Sequence, residues 1–280
     1  MAAQEHGRPQ RAFSMIPLHP DRSSSKPRRQ GLTMMMDWGI PLGQQKDLLG
    51  LAGPYVDLAK IVVGTARLYD DSYLKQKVAC YREHDIAPFL GGQFLEYLLH
   101  TEGLASVQPF CDEARRLGVQ AIEISDNHVP VSRDDRRATV EIITAAGLQV
   151  HGEVGSKADT TPVEVMIDQA REWFELGAEV VLIEAAELIV DGQPDREIIQ
   201  ALAAGLDITR VLFELPGPWV RGTTTSDVLY LKKHLVDTFG PDANIANVMP
   251  DDLFETEAMR LGLSFSGPPR RSYAIEGVTR

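Results

Sequence analysis

Four glutamates recur along the middle of this 280-residue chain at nearly constant spacing: Glu123, Glu153, Glu184 and Glu214 stand 30, 31 and 30 residues apart. Each closes or interrupts a short apolar run, as in Ala-Ile-Glu-Ile, Val-Val-Leu-Ile-Glu and Val-Leu-Phe-Glu. A period of about thirty residues is the length of one strand–helix unit. Burying a carboxylate is costly, so a fold that repeats this unit must give its strand-end acids a role.

Eight apolar runs support the repeat. Residues 32–37, 57–63, 86–90, 120–124, 149–154, 179–184, 210–215 and 243–248 read as strands. Helical patterns over 73–84, 94–100, 107–117, 163–176, 195–204, 226–239 and 254–261 separate most of them. Thr161 is expected to cap the fourth of these helices, with Pro162 at its first position and Glu164 reaching back. Gly118 and Gly177 are expected to stop the helices that precede them. Near-continuous apolar strands alternating with helices belong to a parallel sheet covered on its faces. About 250 residues is the usual size of a (β/α)8 barrel. An open doubly wound sheet would carry Gly-x-Gly-x-x-Gly after its first strand, and the chain has none there. The expected fold is therefore α/β, a single (β/α)8 barrel over residues 31–263, followed by a C-terminal extension, 264–280.

Residues 1–30 differ in kind. Arg8, Arg11, Arg22, Lys26, Arg28 and Arg29 face only Glu5 and Asp21, with Pro9, Pro17, Pro20 and Pro27 between them. Such a composition reads as a flexible basic tail or as an arm reaching over a neighbouring subunit. A homo-oligomer is the expected assembly. The net charge of −12 argues against a nucleic-acid partner. Cys80 and Cys111 are too few for a disulfide framework or a four-cysteine zinc site, and read as buried thiols. The absence of an apolar run of about 18 residues excludes a helical membrane span. Without a secretory apolar core near its start, the chain is expected in the cytoplasm.

In such a barrel the C-terminal strand ends form the active-site mouth. That rule collects Asp37, Lys60, Gly91, Gly92, Glu123, Ser125, Glu153, Lys157, Glu184, Glu214 and Asn247. Carboxylates gathered there would repel one another unless a cation offset them. Either each pairs with a basic side chain, or together they hold a hard cation such as Mg2+. Lys60 and Lys157 can serve as proton donors or as point charges for an anionic substrate. Gly91 and Gly92 either expose backbone amides to an anion or form a tight turn. His128 is an acid–base candidate or an exposed loop side chain. His151 shares a strand face with Glu153 and is placed beside it as a supporting group.

These residues stand within longer stretches that resemble phosphosulfolactate synthases. They are Gly31-Leu32-Thr33 with Asp37, Tyr55 to Lys60 with Gly64-Thr65, and Pro88 with Gly91-Gly92 and Glu96. Further along come Leu117-Gly118 with Glu123-Ile124-Ser125-Asp126, Glu153-Val154-Gly155 with Lys157, Ile183-Glu184, Phe213-Glu214 and Ala243 to Asn247. The resemblance implies a (β/α)8 barrel, a carbon–sulfur lyase or synthase that adds sulfite to phosphoenolpyruvate with Mg2+. The product would be 2-phospho-3-sulfolactate, at the entry to coenzyme M or related sulfonate biosynthesis. It implies Lys157 as proton donor and Lys60 beside the substrate carboxylate or phosphate. Glu123, Glu153, Glu184 and Asp37 are then the expected metal ligands. Gly91, Gly92, Ser125, His128, Arg67, Glu214 and Asn247 are the expected substrate contacts. Several positions depart from the family pattern. Trp38, Ser156 and Ala186 stand where the family commonly has basic residues, and Gln93 where it has threonine. Arg67 and Arg221 are candidates to compensate. The alternatives are a different nucleophile or enol phosphate on the same barrel, and a non-catalytic barrel like the plant heat-stress-associated relatives.

Overall fold

The run Thr33–Asp37 (β1) is buried over its whole length, as a strand covered on both faces must be. Seven more strands follow: Leu58–Ile61 (β2), Ala87–Leu90 (β3), Ala121–Ile124 (β4), Gln149–Val154 (β5), Val180–Ile183 (β6), Val211–Glu214 (β7) and Ile245–Val248 (β8). All pair in parallel in sequence order, and β8 pairs with β1 to close the barrel. The computed structural model describes residues 11–127, 129, 131–156 and 160–265. Two apolar layers follow from strand alternation. Leu32, Met34, Phe89, Ala121, Val180, Leu182, Leu212 and Ala246 fill the barrel interior. A larger set, including Met35, Ile61, Ile122, Val181 and Phe213, packs outward against the helices. Each such side chain contributes about 1.5–3 kcal/mol when fully buried.

The helices are Leu42–Ala52 (α1), Asp71–Arg82 (α2), Gly92–Glu102 (α3), Val107–Leu117 (α4), Arg133–Ala145 (α5), Val163–Leu176 (α6), Arg196–Gly205 (α7), Thr225–Phe239 (α8) and Leu253–Arg260 (α9). Two were not expected. The buried face of α1 includes Gln45, and that of α5 includes Arg136 and Thr139, so neither shows an unbroken apolar stripe. Gly118 and Gly177 do end α4 and α6 in the left-handed conformation. The cap expected at Thr161 is absent: α6 starts after Pro162 with no side-chain cap. A capping box is found instead on α8, between Thr224 and Asp227.

The N-terminal segment is docked in its second half, contrary to a flexible tail through residue 30. Arg22 is buried and bonds Glu257 at 2.9 Å, Asp242 at 3.0 Å and the Gly31 carbonyl at 2.9 Å. Arg28 pairs with Asp57 at 2.8 Å, and Lys26 Nζ donates to the His84 carbonyl at 3.0 Å. Charge pairing thus orders a stretch too polar to order by apolar burial. These contacts lie at the strand starts, opposite the mouth. Cys80 and Cys111 are buried free thiols. Among the described residues no helix is long and apolar enough to cross a membrane.

Candidate active site

The glutamate ladder converges at the C-terminal strand ends. Along β4 and β5, Glu123 pairs in register with His151, which places Glu153 two residues further on. Glu153 pairs with Leu182, so Glu184 again stands two residues further. Strands tilt across a barrel, so this stagger brings successive side chains to one rim. All four carboxylates are buried.

Lys60, on β2, reaches among them. Its Nζ lies 2.8 Å from Glu123 Oε2 and 3.4 Å from Glu214 Oε1. Burial opposes its charge, but Glu123, Glu214 and Glu153 overcome that penalty and hold the ammonium above its ordinary pKa. Burial likewise pushes the Glu123 carboxyl up, to about 7, against the opposing pull of Lys60. Glu214 is raised well above the carboxylate range by burial, with Lys60 again opposing and Glu153, Glu184 and Glu123 reinforcing. A buried lysine set among these acids marks the site.

One carboxylate oxygen from each of Glu153, Glu184 and Glu214 lies within 4.8 Å of the others. Three buried carboxylate oxygens this close together form a candidate site for a divalent cation. The candidate group differs from the expected ligand set at two places. Glu123 is engaged by Lys60 and by the Gly92 N–H at 2.8 Å, and Glu214 stands in the cluster in its stead. Asp37 is turned outward to the helices. There it pairs with Lys77 at 2.9 Å, accepts from Tyr81 Oη at 2.7 Å, and accepts from the N–H groups of Gly39 and Ile40. A carboxylate with four donors already on it has no capacity left for a metal at the mouth.

The mouth encloses a cavity of about 200 Å³, lined by Met36, Trp38, Lys60, Val62, Val63, Gly91, Gly92, Gln93, Glu123, Glu153, Glu214, Trp219 and Asn247. Gly91 and Gly92 line it, but their amides are spent: Gly91 donates to the Ile61 carbonyl and Gly92 to Glu123. Asn247 has φ +58 and is buried, and its Oδ1 has no hydrogen-bond partner among the described residues. The pairing of β1 with β8 shifts register beside it, and such an irregularity re-aims a side chain. A left-handed Asn whose buried acceptor oxygen is unpaired among the described residues is a candidate ligand-binding group. Ser125 is buried and donates to Glu96, away from the cavity lining. Arg67, in a short 3-10 turn, and Arg221 are exposed and do not line the cavity. Lys157 and His128 lie outside the described residues.

The structure gives supporting roles to residues that sequence reasoning assigned none. Glu96 on α3 accepts from Ser125 Oγ and from the N–H groups of Asn127 and Val129, bracing the loop after β4. Glu187 accepts from the N–H of Ser156 at 2.8 Å and of Thr161 at 3.1 Å, tying the β5 loop to the β6 loop. Gly155 is required there, since at φ +104 its Cβ would stand 2.8 Å from Glu187 Cγ. Trp219 brings a second indole to the cavity. A polar residue three places beyond a strand end was the only available signal for Glu187.

Comparison with known proteins agrees with this construction. The profile of the (2R)-phospho-3-sulfolactate synthase (ComA) family matches residues 21–265. The chain is 30% identical to the phosphosulfolactate synthase of Methanothermobacter thermautotrophicus over 257 residues, covering 88% of this chain and 94% of that one. It is 30% identical to that of Bacillus subtilis over 251 residues, with 86% and 93% covered. Protein HEAT-STRESS-ASSOCIATED 32 of Arabidopsis thaliana is 23% identical over 248 residues, with 79% and 82% covered. The chain belongs to the phosphosulfolactate synthase (ComA) family.

Proposed function

We propose that this protein is a divalent-metal-dependent synthase that adds sulfite to phosphoenolpyruvate, giving 2-phospho-3-sulfolactate for coenzyme M or related sulfonate biosynthesis. The observation that carries the reading is the buried Lys60 set among Glu123, Glu214 and the Glu153–Glu184–Glu214 group at one barrel mouth. In the reaction the sulfite sulfur lone pair forms a bond to the methylene carbon. The double-bond electrons move toward the substrate carboxylate as an enolate, and a proton then reaches the adjacent carbon. A cation such as Mg2+, held by Glu153, Glu184 and Glu214, would supply charge neutralisation at that carboxylate.

The chain's own groups divide the remaining work. Lys60, kept protonated by its acidic neighbours, is a fixed positive charge for the substrate carboxylate or phosphate, and not a base or a Schiff-base amine. The Asn247 Oδ1, an acceptor with no hydrogen-bond partner among the described residues, would take a donor such as a cation-bound water. Lys157 is assigned as the proton donor by family resemblance.

Phosphorus NMR with phosphoenolpyruvate, sulfite and Mg2+ tests this directly. A new phosphate-ester resonance that requires sulfite and disappears in Lys157→Ala is the expected result. Absence of product, with phosphoenolpyruvate still protecting the protein against heat, would replace sulfite by another nucleophile. Absence of both product and binding would favour a non-catalytic role of the kind suggested by the heat-stress relative.

A further inference from the structure

Two indole rings face the mouth cavity from separate loops. Trp38 leaves β1 and Trp219 lies in the loop after β7; their centroids are 5.8 Å apart with planes inclined by 32°. Both are held from below. Asp37 accepts from the N–H groups of Gly39 and Ile40, so the backbone on either side of Trp38 is tied to the Lys77 ion pair. Gly217 approaches the Trp219 ring so closely that a Cβ there would stand 2.2 Å from a ring carbon. Trp38 is nevertheless 45% exposed, an apolar surface left open at the rim of an acidic cavity.

An indole face carries partial negative charge and disfavours a carboxylate or phosphate stacked upon it. The charged ends of a ligand are therefore directed toward Lys60, and an uncharged planar end toward the rings. We infer that Trp38 and Trp219 form a selectivity wall that receives the unsaturated methylene end of the enol phosphate. The wall orients the substrate by stacking at a place where a further basic side chain would orient it by charge. The inference rests on the phosphoenolpyruvate reading, and its signature is discrimination between an unsaturated and a saturated phosphate ester.

The test compares phosphoenolpyruvate with 2-phospholactate by calorimetric titration in Mg2+, using wild type, Trp38→Ala and Trp38→Phe. Wild type is expected to favour the unsaturated ester by about fivefold or more, the scale of one aromatic contact. Trp38→Ala should bring that ratio close to one while changing 2-phospholactate affinity by less than about twofold; Trp38→Phe, which restores an aromatic face, should recover most of it. Circular dichroism of each variant establishes that it is folded. Equal discrimination in wild type and folded Trp38→Ala would overturn the wall while leaving the phosphoenolpyruvate reading intact. Failure of wild type to bind either ester would overturn both.

Discussion

Two buried lysines, one on β2 and one on the helix α2 that follows it, do opposite things. Lys77, on α2, is fully enclosed: its ammonium meets Asp37 at 2.9 Å, Gln45 Oε1 at 2.8 Å and the Ile40 carbonyl. Three donors meet three acceptors, and Tyr81 completes the carboxylate. Lys60, on β2, has Glu123 and Glu214 within reach and Glu153 and Glu184 beyond them. The first pair is closed, and it locks the β1 exit to α1 and α2. The second lies beside the mouth cavity, where the Asn247 Oδ1 has no hydrogen-bond partner among the described residues. Closure away from any cavity marks a structural ion pair; buried charges that line a cavity mark a candidate site.

The largest effect should come from exchanging each lysine for methionine. Lys60→Met is expected to lower turnover by about a thousandfold, the scale of losing a preorganised charge. Lys77→Met should cost about 3–5 kcal/mol of stability, because Asp37 is left buried without its cation, yet preserve turnover per folded molecule. Urea denaturation beside the phosphorus assay reads both, and a loss of turnover per folded molecule at Lys77 equal to that at Lys60 would erase the distinction.

Metal addition separates the acids in the same way. At about a hundredfold excess over its dissociation constant, Mg2+ should stabilise the protein by about 2.7 kcal/mol. Glu184→Gln or Glu214→Gln should abolish that response in thermal melts. Asp37→Asn should lower the baseline stability and keep the response; loss of it there would return Asp37 to the metal.

The smallest effect concerns His151, on the strand that carries Glu153. Its ring packs on Phe89 with centroids 4.7 Å apart, and burial, with Lys60 adding, holds its pKa down to about 3 against an ordinary 6.5. The neutral ring is the folded form, so its contribution is complete above 6.5 and is lost as pH falls toward 3. Between about pH 7 and about pH 5 this amounts to about 2 kcal/mol. Glu123 and Glu214, raised by burial, contribute in the opposite sense in wild type and His151→Gln alike, so the drop is read as the change between the two pH values in the difference of their unfolding free energies.

Much of this architecture is legible in the chain. Uninterrupted apolar strands and glutamates one repeat apart are enough to specify a parallel barrel and to place its acids at one rim, because strand length and repeat length are local properties. The family resemblance added the candidate chemistry. Helices α1 and α5 were hidden because buried Gln45, Arg136 and Thr139 break the apolar stripe, and those polar groups are acceptable only where partners exist in space.

What tertiary structure alone decided is which charge meets which. Asp37 and Glu214 both end strands, yet one faces α2 and the other the cavity, because alternation assigns a side only once the strand's register and phase are set. Asn247 reaches the mouth through a positive φ and a register shift that no residue pattern announced. Arg22 and Arg28, read as tail, became ordered by acids up to 235 positions away along the chain. Repeat and burial pattern are written along the sequence; the strength of an ion pair depends on distance and solvent exclusion, which exist only after the chain has folded.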